Sequence, residues 1–407
     1  MPANAPVMPA ARARFPVGTL LNAALLAAAA TLYGLVLVQA LGRHQDFDTY
    51  LTAGRDLLQG RPLYATFLQH PFPDPTLRPA FIYPPAFSLL VAPLGLLVDG
   101  VAAGVWLLAM QAALAAAAVI VVRSLRPGPA TITGIAALTL TFFPLWVDAI
   151  QGQANLLVLL LTVAGIVGVL RGRSYAGLAL GAAAALKLVP LLLLGWLLVE
   201  RRWRALGYML GGATLVTAAG AAVRPGDTVT FLTRVLPQLS HGTGFYDNQS
   251  LNGVLTRLLA ANPYTQPWFA LPWEPALLVA LAGLLAGLWL FRSRGLSHFD
   301  RAFCALPLLP LLSSVTWEHH LVMLLPLLWL VVDRLQRLGW PRVETATLGF
   351  LLAGFSLVAR WHPGPSFSTS GFRQAQTADP LVLLTANSLF ITTLALFLLC
   401  PWLLRSR

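Results

Sequence analysis

The stretch FPVGTLLNAALLAAAATLYGLVLVQALGRHQDFDTY, residues 15 to 50, decides the fold. Its first 28 residues carry no charge, and a helix needs only ~20 predominantly apolar residues to cross a bilayer. Two carboxylates, Asp46 and Asp48, follow a few residues after this apolar run ends. The stretch therefore predicts a membrane-spanning helix that leaves the bilayer next to a pair of acids.

The rest of the chain has the same apolar character. Of its 407 residues, 57% are hydrophobic and 10% are charged, whereas soluble domains are about a quarter charged. Further charge-free windows of spanning length lie between residues 99 and 123, 126 and 148, 148 and 171, 204 and 224, and 379 and 405. The sequence predicts an all-α polytopic membrane protein with about 12 transmembrane helices, in a range of about 10 to 13. It is expected to form a single integral membrane domain over residues 1–407.

The net charge of +12 does not indicate a nucleic-acid partner. The arginines occur singly or in short groups at the ends of apolar segments rather than in one basic stripe. Cys304 and Cys400 both lie inside apolar segments without CxxC or metal-ligand spacing, so neither a disulfide framework nor a zinc site is indicated. No cofactor is predicted, and a divalent metal stays open as an alternative.

The basic residues predict the topology, because short cytoplasmic loops are enriched in Lys and Arg. Residues 1–14 form the predicted cytoplasmic tail, followed by a retained signal anchor. Residues 42–83 form a first extracytoplasmic loop with the candidate catalytic acid, and residues 224–275 form a second large one. Three shorter outer segments are expected at 148–155, 313–319 and 360–380. The sequence thus predicts a multi-pass protein of the cell membrane.

Two threadings place about twelve crossings between cytoplasmic termini. In the first, residues 83–97 form a re-entrant or interfacial helix, and residues 174–199 form a hairpin of two short helices that turns near Lys187. In the second, each of these segments crosses once, which would place the basic connection at 171–173 outside. The positive-inside rule favours the first threading.

Two outer stretches have apolar residues at helical spacing but are too short to span a bilayer. They are DTYLTAGRDLLQG, residues 48–60, and NQSLNGVLTRLLA, residues 248–260. Both predict amphipathic helices at the membrane surface. Such helices would roof a cavity between the transmembrane helices.

Polar residues next to or inside apolar segments mark the candidate site. Asp46 and Asp48 lie where a low dielectric raises a carboxylate pKa and makes it a usable base at neutral pH. Gln153 and Asn155 enter an apolar helix, and amides at membrane depth are costly unless they face a cavity. Lys187, the only lysine in the chain, is either paired with an anion such as a phosphate or extends to a nearby interface.

A further polar group lies in the stretch WEHH, residues 317–320. Neighbouring side chains on a helix point about 100° apart, so we expect one pocket to use one of His319 and His320 more than the other. A zinc site would need three or four ligands with defined spacing, which favours a histidine that donates to a phosphate or carboxylate. Asn248 lies in an amide-rich outer segment that suits either a sugar-facing loop or an ordinary polar loop.

Six short motifs follow one another along most of the chain. They are DF-x-x-Y with G-x-P-L-Y downstream (46–50 and 60–64), Y-P-P (83–85), G-Q-x-N (152–155), K-x-x-P (187–190), N-x-S (248–250) and W-E-H-H (317–320). In series they resemble glycosyltransferase family 87, the polyprenyl-phosphate-mannose-dependent mannosyltransferases of the C-type membrane glycosyltransferase superfamily.

The resemblance implies an enzyme that transfers a hexose, with mannose expected, from a polyprenyl-phosphate donor to an extracytoplasmic lipid or glycan acceptor. It implies inversion at the anomeric carbon, with Asp46 as general base and Asp48 as an additional candidate. The expected donor phosphate-binding residues are Lys187, His319 and His320. The expected sugar- or acceptor-binding residues are Tyr50, Tyr83, Gln153, Asn155, Asn248 and Glu318.

A transporter or flippase of lipid-linked sugars is the alternative function. Such proteins more often have inverted repeats and broken midplane helices in matched halves. The polar residues of this chain concentrate on one side of the predicted membrane, which favours an enzyme.

Overall fold

The structure, a computed structural model, describes residues 17–42, 44–70, 80–358 and 385–405. Every regular element in these ranges is a helix, so the predicted all-helical class is confirmed. Four of the described helices are long and apolar enough to cross a membrane, or five if one bent pair is a single span. The predicted tail 1–14 and the predicted outer segment 360–380 lie outside these ranges.

The N-terminal half begins with the long helix that the opening stretch predicts. A bend of 53° separates the sixth and seventh helices, because Pro144 lies in the first turn of the seventh and cannot continue the preceding helix. The helices of this half are α1 (Val17–Ala40), α2 (Gln45–Leu58), α3 (Ala65–Gln69), α4 (Pro85–Val91), α5 (Asp99–Leu125), α6 (Pro129–Thr141), α7 (Phe143–Gln151), α8 (Asn155–Leu170), α9 (Gly177–Leu186) and α10 (Leu193–Val199).

The C-terminal half alternates long apolar helices with short ones. A 3₁₀ turn at Glu318–Leu324 leads directly into a buried helix. The helices of this half are α11 (Trp203–Val223), α12 (Pro225–Thr230), α13 (Leu236–Ser240), α14 (Leu251–Leu259), α15 (Glu274–Arg292), α16 (His298–Cys304), α17 (Leu308–Leu312), α18 (Leu325–Arg337), α19 (Arg342–Ala353) and α20 (Ser388–Leu404).

Helices α9 and α10 form the hairpin of the first threading. Gly177 lies against the backbone of Ala205, and Gly181, one helical turn later, lies against the backbone of Met209. Because both pairs advance by four residues, α9 and α11 run in the same direction. The chain between them must therefore return, and it does so through α10. The turn at the far end of this hairpin contains Lys187, as the sequence predicts.

Basic side chains join several connections at one end of the helices. Arg171 donates to Ser124, Arg337 donates to the carbonyl of Leu125, and Arg301 pairs with Glu200. Each contact links two connections between helices that are far apart in sequence.

The two short helices that the sequence predicts at 48–60 and 248–260 are present. The first is α2, which buries Phe47, Tyr50 and Leu51 and packs on α4 and on the 3₁₀ turn Ala92–Leu96. The second is α14, whose N-cap Ser250 accepts a hydrogen bond from the backbone N–H of Gly253. Helix α2 and the loop before α14 contribute side chains to one cavity.

Candidate active site

A cavity of about 400 Å³ lies next to α2 and the loop before α14. Most of its wall comes from five stretches that are distant in sequence: the start of α2, the segment around Tyr83, the end of α7, the turn of the α9–α10 hairpin, and residues 313–320. The rest comes from Phe245 and Asp247 in the loop before α14, and from Phe67, His70, Phe231 and Leu239. The structure thus brings together Asp46, Tyr50, Tyr83, Gln153, Lys187, Glu318, His319 and His320, all of which the sequence analysis selected.

A chain of hydrogen bonds joins the candidate base to the only lysine. Gln153 Nε2 donates to Asp46 Oδ2 at 2.5 Å, while Gln153 Oε1 lies 3.4 Å from Lys187 Nζ. Lys187 Nζ donates to Asn155 Oδ1 at 2.5 Å. The amides of the G-Q-x-N motif therefore hold an ammonium and a carboxylate at the same cavity, as amides can because they both donate and accept.

Two tyrosines support this chain from the side of α2. Tyr50 Oη donates to Gln153 Oε1 at 3.0 Å, and Tyr50 and Tyr83 hydroxyls lie 2.8 Å apart. Lys187 Nζ lies 5.6 Å from the centre of the Tyr83 ring, within the range of cation–π attraction. Both tyrosine rings are more than nine-tenths buried. Because packing holds the rings in place, their hydroxyls fix the orientation of the Gln153 side chain.

Gly152 lets α2 approach Gln153 closely. Its φ of +68° ends α7 in a left-handed conformation that favours glycine. A Cβ at this position would lie 2.7 Å from the Cβ of Phe47, closer than packed atoms come. The carbonyl of Gly152 accepts a hydrogen bond from Trp106 Nε1 at 2.8 Å. These contacts explain why a glycine precedes the glutamine that reaches Asp46.

Asp46 and Asp48 have different surroundings. Asp46 is half-buried and faces the cavity. Burial raises the pKa of Asp46 above its usual value, although the hydrogen bond from Gln153 and the charge of Lys187 act to lower it. The side chain of Asp48 is 59% exposed and bonds to His44 at 2.6 Å. Of the two acids, only Asp46 lines the cavity.

Asp148 is a functional candidate that the sequence analysis missed. Its side chain is 1% exposed, and its Oδ1 accepts from Asn155 Nδ2 at 2.8 Å. Asn155 in turn holds Lys187, so Asp148 is the buried acid on the far side of the ammonium. A buried charge needs an opposite partner, and a search for the lysine's counter-ion among acids flanking apolar helices would have found Asp148.

Both histidines line the same cavity. They lie on a 3₁₀ turn, and their ring centres are 4.7 Å apart with the planes nearly perpendicular. His320 Nδ1 accepts from the N–H of Trp317 at 3.2 Å, so the neutral ring carries its proton on Nε2. His319 Nε2 is buried and has no hydrogen-bond partner among the described residues.

Asn248 is placed differently from its predicted sugar-binding role. It is fully buried and does not line the cavity. Its amide donates to the carbonyls of Thr243 and Ser314, and its Oδ1 accepts from the N–H of Thr316. All these contacts are to the backbone, so Asn248 fastens two loops together.

The described residues contain no group of three or more His, Cys, Asp and Glu side chains that could hold a metal ion. Cys304 and Cys400 are both buried and unbridged, as the sequence suggests.

An apolar groove of about 610 Å³ adjoins the cavity. Its walls are α10, α15 and residues 305–314, and most of the lining side chains are leucines and tryptophans. Leu188, Val189, Ser313 and Ser314 line both the groove and the cavity. The groove therefore opens into the cavity next to Lys187.

Comparison with known proteins places this arrangement in a family. The model of Glycosyltransferase family 87 matches residues 81–315, which is more than half of the chain. The chain belongs to this family. It is therefore a glycosyltransferase, as the motif series predicted, and the matched region includes Tyr83, Gln153 and Lys187.

Curated relatives of this family 87 member come from mycobacteria. A polyprenol-phosphate-mannose-dependent alpha-(1-2)-phosphatidylinositol mannoside mannosyltransferase of Mycobacterium tuberculosis is 28% identical over 78% of the chain and 76% of the relative. An alpha-(1->3)-arabinofuranosyltransferase of the same species is 32% identical over 43% of the chain and 41% of the relative. Among solved structures, ArnT from Cupriavidus metallidurans bound to undecaprenyl phosphate matches with a TM-score of 0.44 and 16% identity, over 95% of this chain and 78% of that one.

Proposed function

We propose that the protein transfers a hexose, with mannose expected, from a polyprenyl-phosphate donor to an extracytoplasmic lipid or glycan acceptor, with inversion. One observation carries the proposal. A half-buried carboxylate and an ammonium, Asp46 and Lys187, are joined through Gln153 at one cavity, and an apolar groove opens beside the ammonium. Several relatives are polyprenol-phosphate-mannose-dependent mannosyltransferases, which supports the same donor class.

Asp46 acts as the general base. It takes the proton from an acceptor hydroxyl as that oxygen attacks the anomeric carbon, while the polyprenyl phosphate leaves from the opposite face. A base with a raised pKa accepts a proton more readily in the transition state than an ordinary aspartate does. Asp48 is exposed and paired with His44, which favours Asp46 for the role.

Lys187 and the two histidines bind the departing phosphate. Negative charge develops there as the glycosidic bond breaks, and preorganised cations and donors stabilise it most in an enclosed site. Lys187 is held by Asn155 and Gln153 before any donor arrives. Gln153, Tyr50, Tyr83 and Glu318, which line the cavity, then remain as sugar- or acceptor-binding candidates. Asn155 is buried outside the cavity wall and holds Lys187.

The apolar groove accommodates the polyprenyl chain. It is contiguous with the cavity through Leu188 and Val189, which directly follow Lys187. A lipid phosphate can thus place its charged group at Lys187 and its hydrocarbon between α10 and α15. The chain passes from one apolar environment, the bilayer, to another, so the groove orients the donor by packing rather than by removing hydrocarbon from water.

The proposed topology has about 12 crossings, with residues 42–83 and 224–275 outside the membrane and the basic connections inside. The Arg224 side chain bonds to the carbonyl of Arg61, which ties these two loops together. Since Asp46 in the first loop and Asp247 in the second both line the cavity, the active site faces the extracytoplasmic side.

The test uses the purified full-length protein in lipid nanodiscs with a panel of polyprenyl-phosphate sugars. Released polyprenyl phosphate and transferred sugar are both measured, for the wild type and for Asp46→Asn. We expect release only with one sugar class and only with intact Asp46. Use of a nucleotide sugar, or full turnover by Asp46→Asn, would overturn the proposal. Translocation of intact donor across vesicles without cleavage would support the flippase alternative.

A further inference from the structure

A separate part of the cavity wall carries two carboxylates that sugar activation does not use. Asp247 lies in the loop before α14, and Glu318 begins the 3₁₀ turn that contains the histidines. Both line the cavity. Neither carboxylate is bonded by any donor within the part of the chain that the structure describes, in contrast to Asp46, which Gln153 holds.

The backbone that carries this pair is nevertheless rigid. The fully buried Arg257 donates to the carbonyls of Phe245 and Asn248, which bracket Asp247. Across the gap, the N–H of Gln249 donates to the carbonyl of Thr316 at 2.6 Å. Asn248 also bonds to the backbone of Ser314 and Thr316 in the same neighbouring segment. The two loops are thus locked side by side, and this fixes Asp247 and Glu318 in position.

Asp247 and Glu318 are both half-buried at the cavity. Burial raises the pKa of Asp247 to about 7, and the charge of Arg257 limits that rise. Burial, together with the charge of Asp247, raises the pKa of Glu318 to about 8. A ligand that covers these carboxylates without supplying hydrogen-bond donors would bind at a cost, so a ligand that fits must bring donors of its own.

Two further features of the same wall indicate the chemistry of that ligand. His319 is 6% exposed, lines the cavity, and its Nε2 has no hydrogen-bond partner among the described residues. The rings of Phe245 and Trp317 also line the cavity and meet edge to face, with centres 5.9 Å apart. Carboxylates that accept from hydroxyls, next to aromatic faces that pack on C–H groups, suit a sugar ring.

We propose that Asp247 and Glu318, with the Trp317 ring, form the acceptor subsite, which takes a neutral, hydroxyl-rich sugar ring and rejects acceptors that are anionic there. The assignment rests on the proposed function, since it names the substrate class of the same cavity. At a pH above about 8, where both groups are ionised, vicinal hydroxyls of the ring donate to the two carboxylates, which are strong acceptors. A carboxylate or phosphate at this position would instead meet like charge.

Other ligands fit this wall less well. The donor phosphate is repelled by the same two acids and is attracted to Lys187. For a resident metal, the described residues offer no group of three or more His, Cys, Asp and Glu ligands. A neutral polyol ring satisfies both acids without adding charge to an enclosed site.

The test measures sugar transfer by the full-length protein in nanodiscs from polyprenyl-phosphate mannose to two matched acceptors. They are octyl α-mannoside and the corresponding octyl mannosiduronate. The variants are Asp247→Asn, Glu318→Gln and their combination. The matched control is Asp99→Asn, because the Asp99 side chain is 71% exposed, pairs with Arg55 and does not line the cavity.

We expect the wild type to prefer the neutral mannoside by at least about tenfold. Each cavity variant raises the KM for the mannoside by about tenfold. In the double variant, the ratio of the transfer rate to the mannoside over that to the uronide becomes smaller than in the wild type. Thermal stability should stay the same or rise in these variants, because a half-buried carboxylate without a donor from the described residues is replaced by a neutral amide. The control keeps wild-type KM and preference.

A wild type that uses the uronide as well as the mannoside, or that uses neither while still releasing polyprenyl phosphate, would overturn the acceptor assignment. An unchanged preference in the double variant would do the same. Failure of the proposed function looks different, because then no polyprenyl phosphate is released from the donor even by water. Donor release without acceptor is therefore measured in every sample.

Discussion

Asp46 on one part of the cavity wall and the Asp247–Glu318 pair on another are all enclosed acids, yet they are supported differently. Asp46 receives a hydrogen bond from Gln153 and feels the charge of Lys187. Asp247 and Glu318 have rigid backbones but no donors to their carboxylates among the described residues. The carboxylate of Asp46 thus has a hydrogen-bond donor from the protein before substrate binds, whereas those of Asp247 and Glu318 receive donors from a ligand.

The largest expected effect comes from removing the negative charge of Asp46. Asp46→Asn keeps the shape but loses the base, so we expect kcat to fall by about 10²- to 10⁴-fold. Transfer from polyprenyl-phosphate mannose measures it, with Asp48→Asn as the matched variant that keeps most activity. If Asp48→Asn lost activity and Asp46→Asn did not, the general base would be the exposed Asp48, and the contrast between Asp46 and the Asp247–Glu318 pair would not hold.

A smaller effect is expected from removing the positive charge of Lys187. Lys187→Met removes the phosphate partner and leaves Asp148 buried without its counter-charge, so donor affinity should fall by about 10- to 100-fold and thermal stability should drop. Competition with polyprenyl phosphate measures the affinity. Adding Asp148→Asn should restore stability but not donor binding. Unchanged donor affinity in Lys187→Met would shift phosphate recognition to the histidines.

The close packing of α2 against the segment that carries Gln153 can be tested by substituting two glycines. Gly152→Ala places a Cβ against Phe47 in a left-handed backbone, whereas Gly172→Ala has a similar φ but nothing within 4 Å. Both lose some stability from strain, and we expect Gly152→Ala to lose about 1–3 kcal/mol more because of the overlap. Denaturation midpoints and transfer rates measure the difference. Equal losses would mean that α2 does not need this close approach.

The smallest effect concerns pH. A general base must be unprotonated, so kcat/KM should rise as the pH rises through the pKa of Asp46, at a pH above the usual range of aspartate. The hydrogen bond from Gln153 lowers this pKa, so Gln153→Leu should move the acidic limb to higher pH by up to about one unit. A pH–rate profile with saturating donor measures it, and a limb that moves to lower pH would contradict the assignment.

Much of the candidate site is visible in the sequence because polar residues at membrane depth are costly. Gln153, Asn155 and Lys187 stand out against apolar neighbours, and all three are joined by hydrogen bonds in the structure. The hairpin turn at Lys187 also follows from the positions of the arginines. Asp148 escaped notice because an acid at the end of an apolar window resembles an ordinary loop residue.

The amino-acid sequence by itself determined the all-helical membrane class, the family and the kinds of side chain in the site, because apolar length and isolated polar residues are local properties. Tertiary structure decided which of Asp46 and Asp48 faces the cavity, that Asn248 fastens loops, and that Asp247 lies beside Glu318. These outcomes depend on contacts between residues far apart in the chain, such as Gln153 and Asp46, which are 107 positions apart. Only packing of α2 on α7, and of the loop before α14 on residues 314–318, brings such groups within hydrogen-bonding and electrostatic reach.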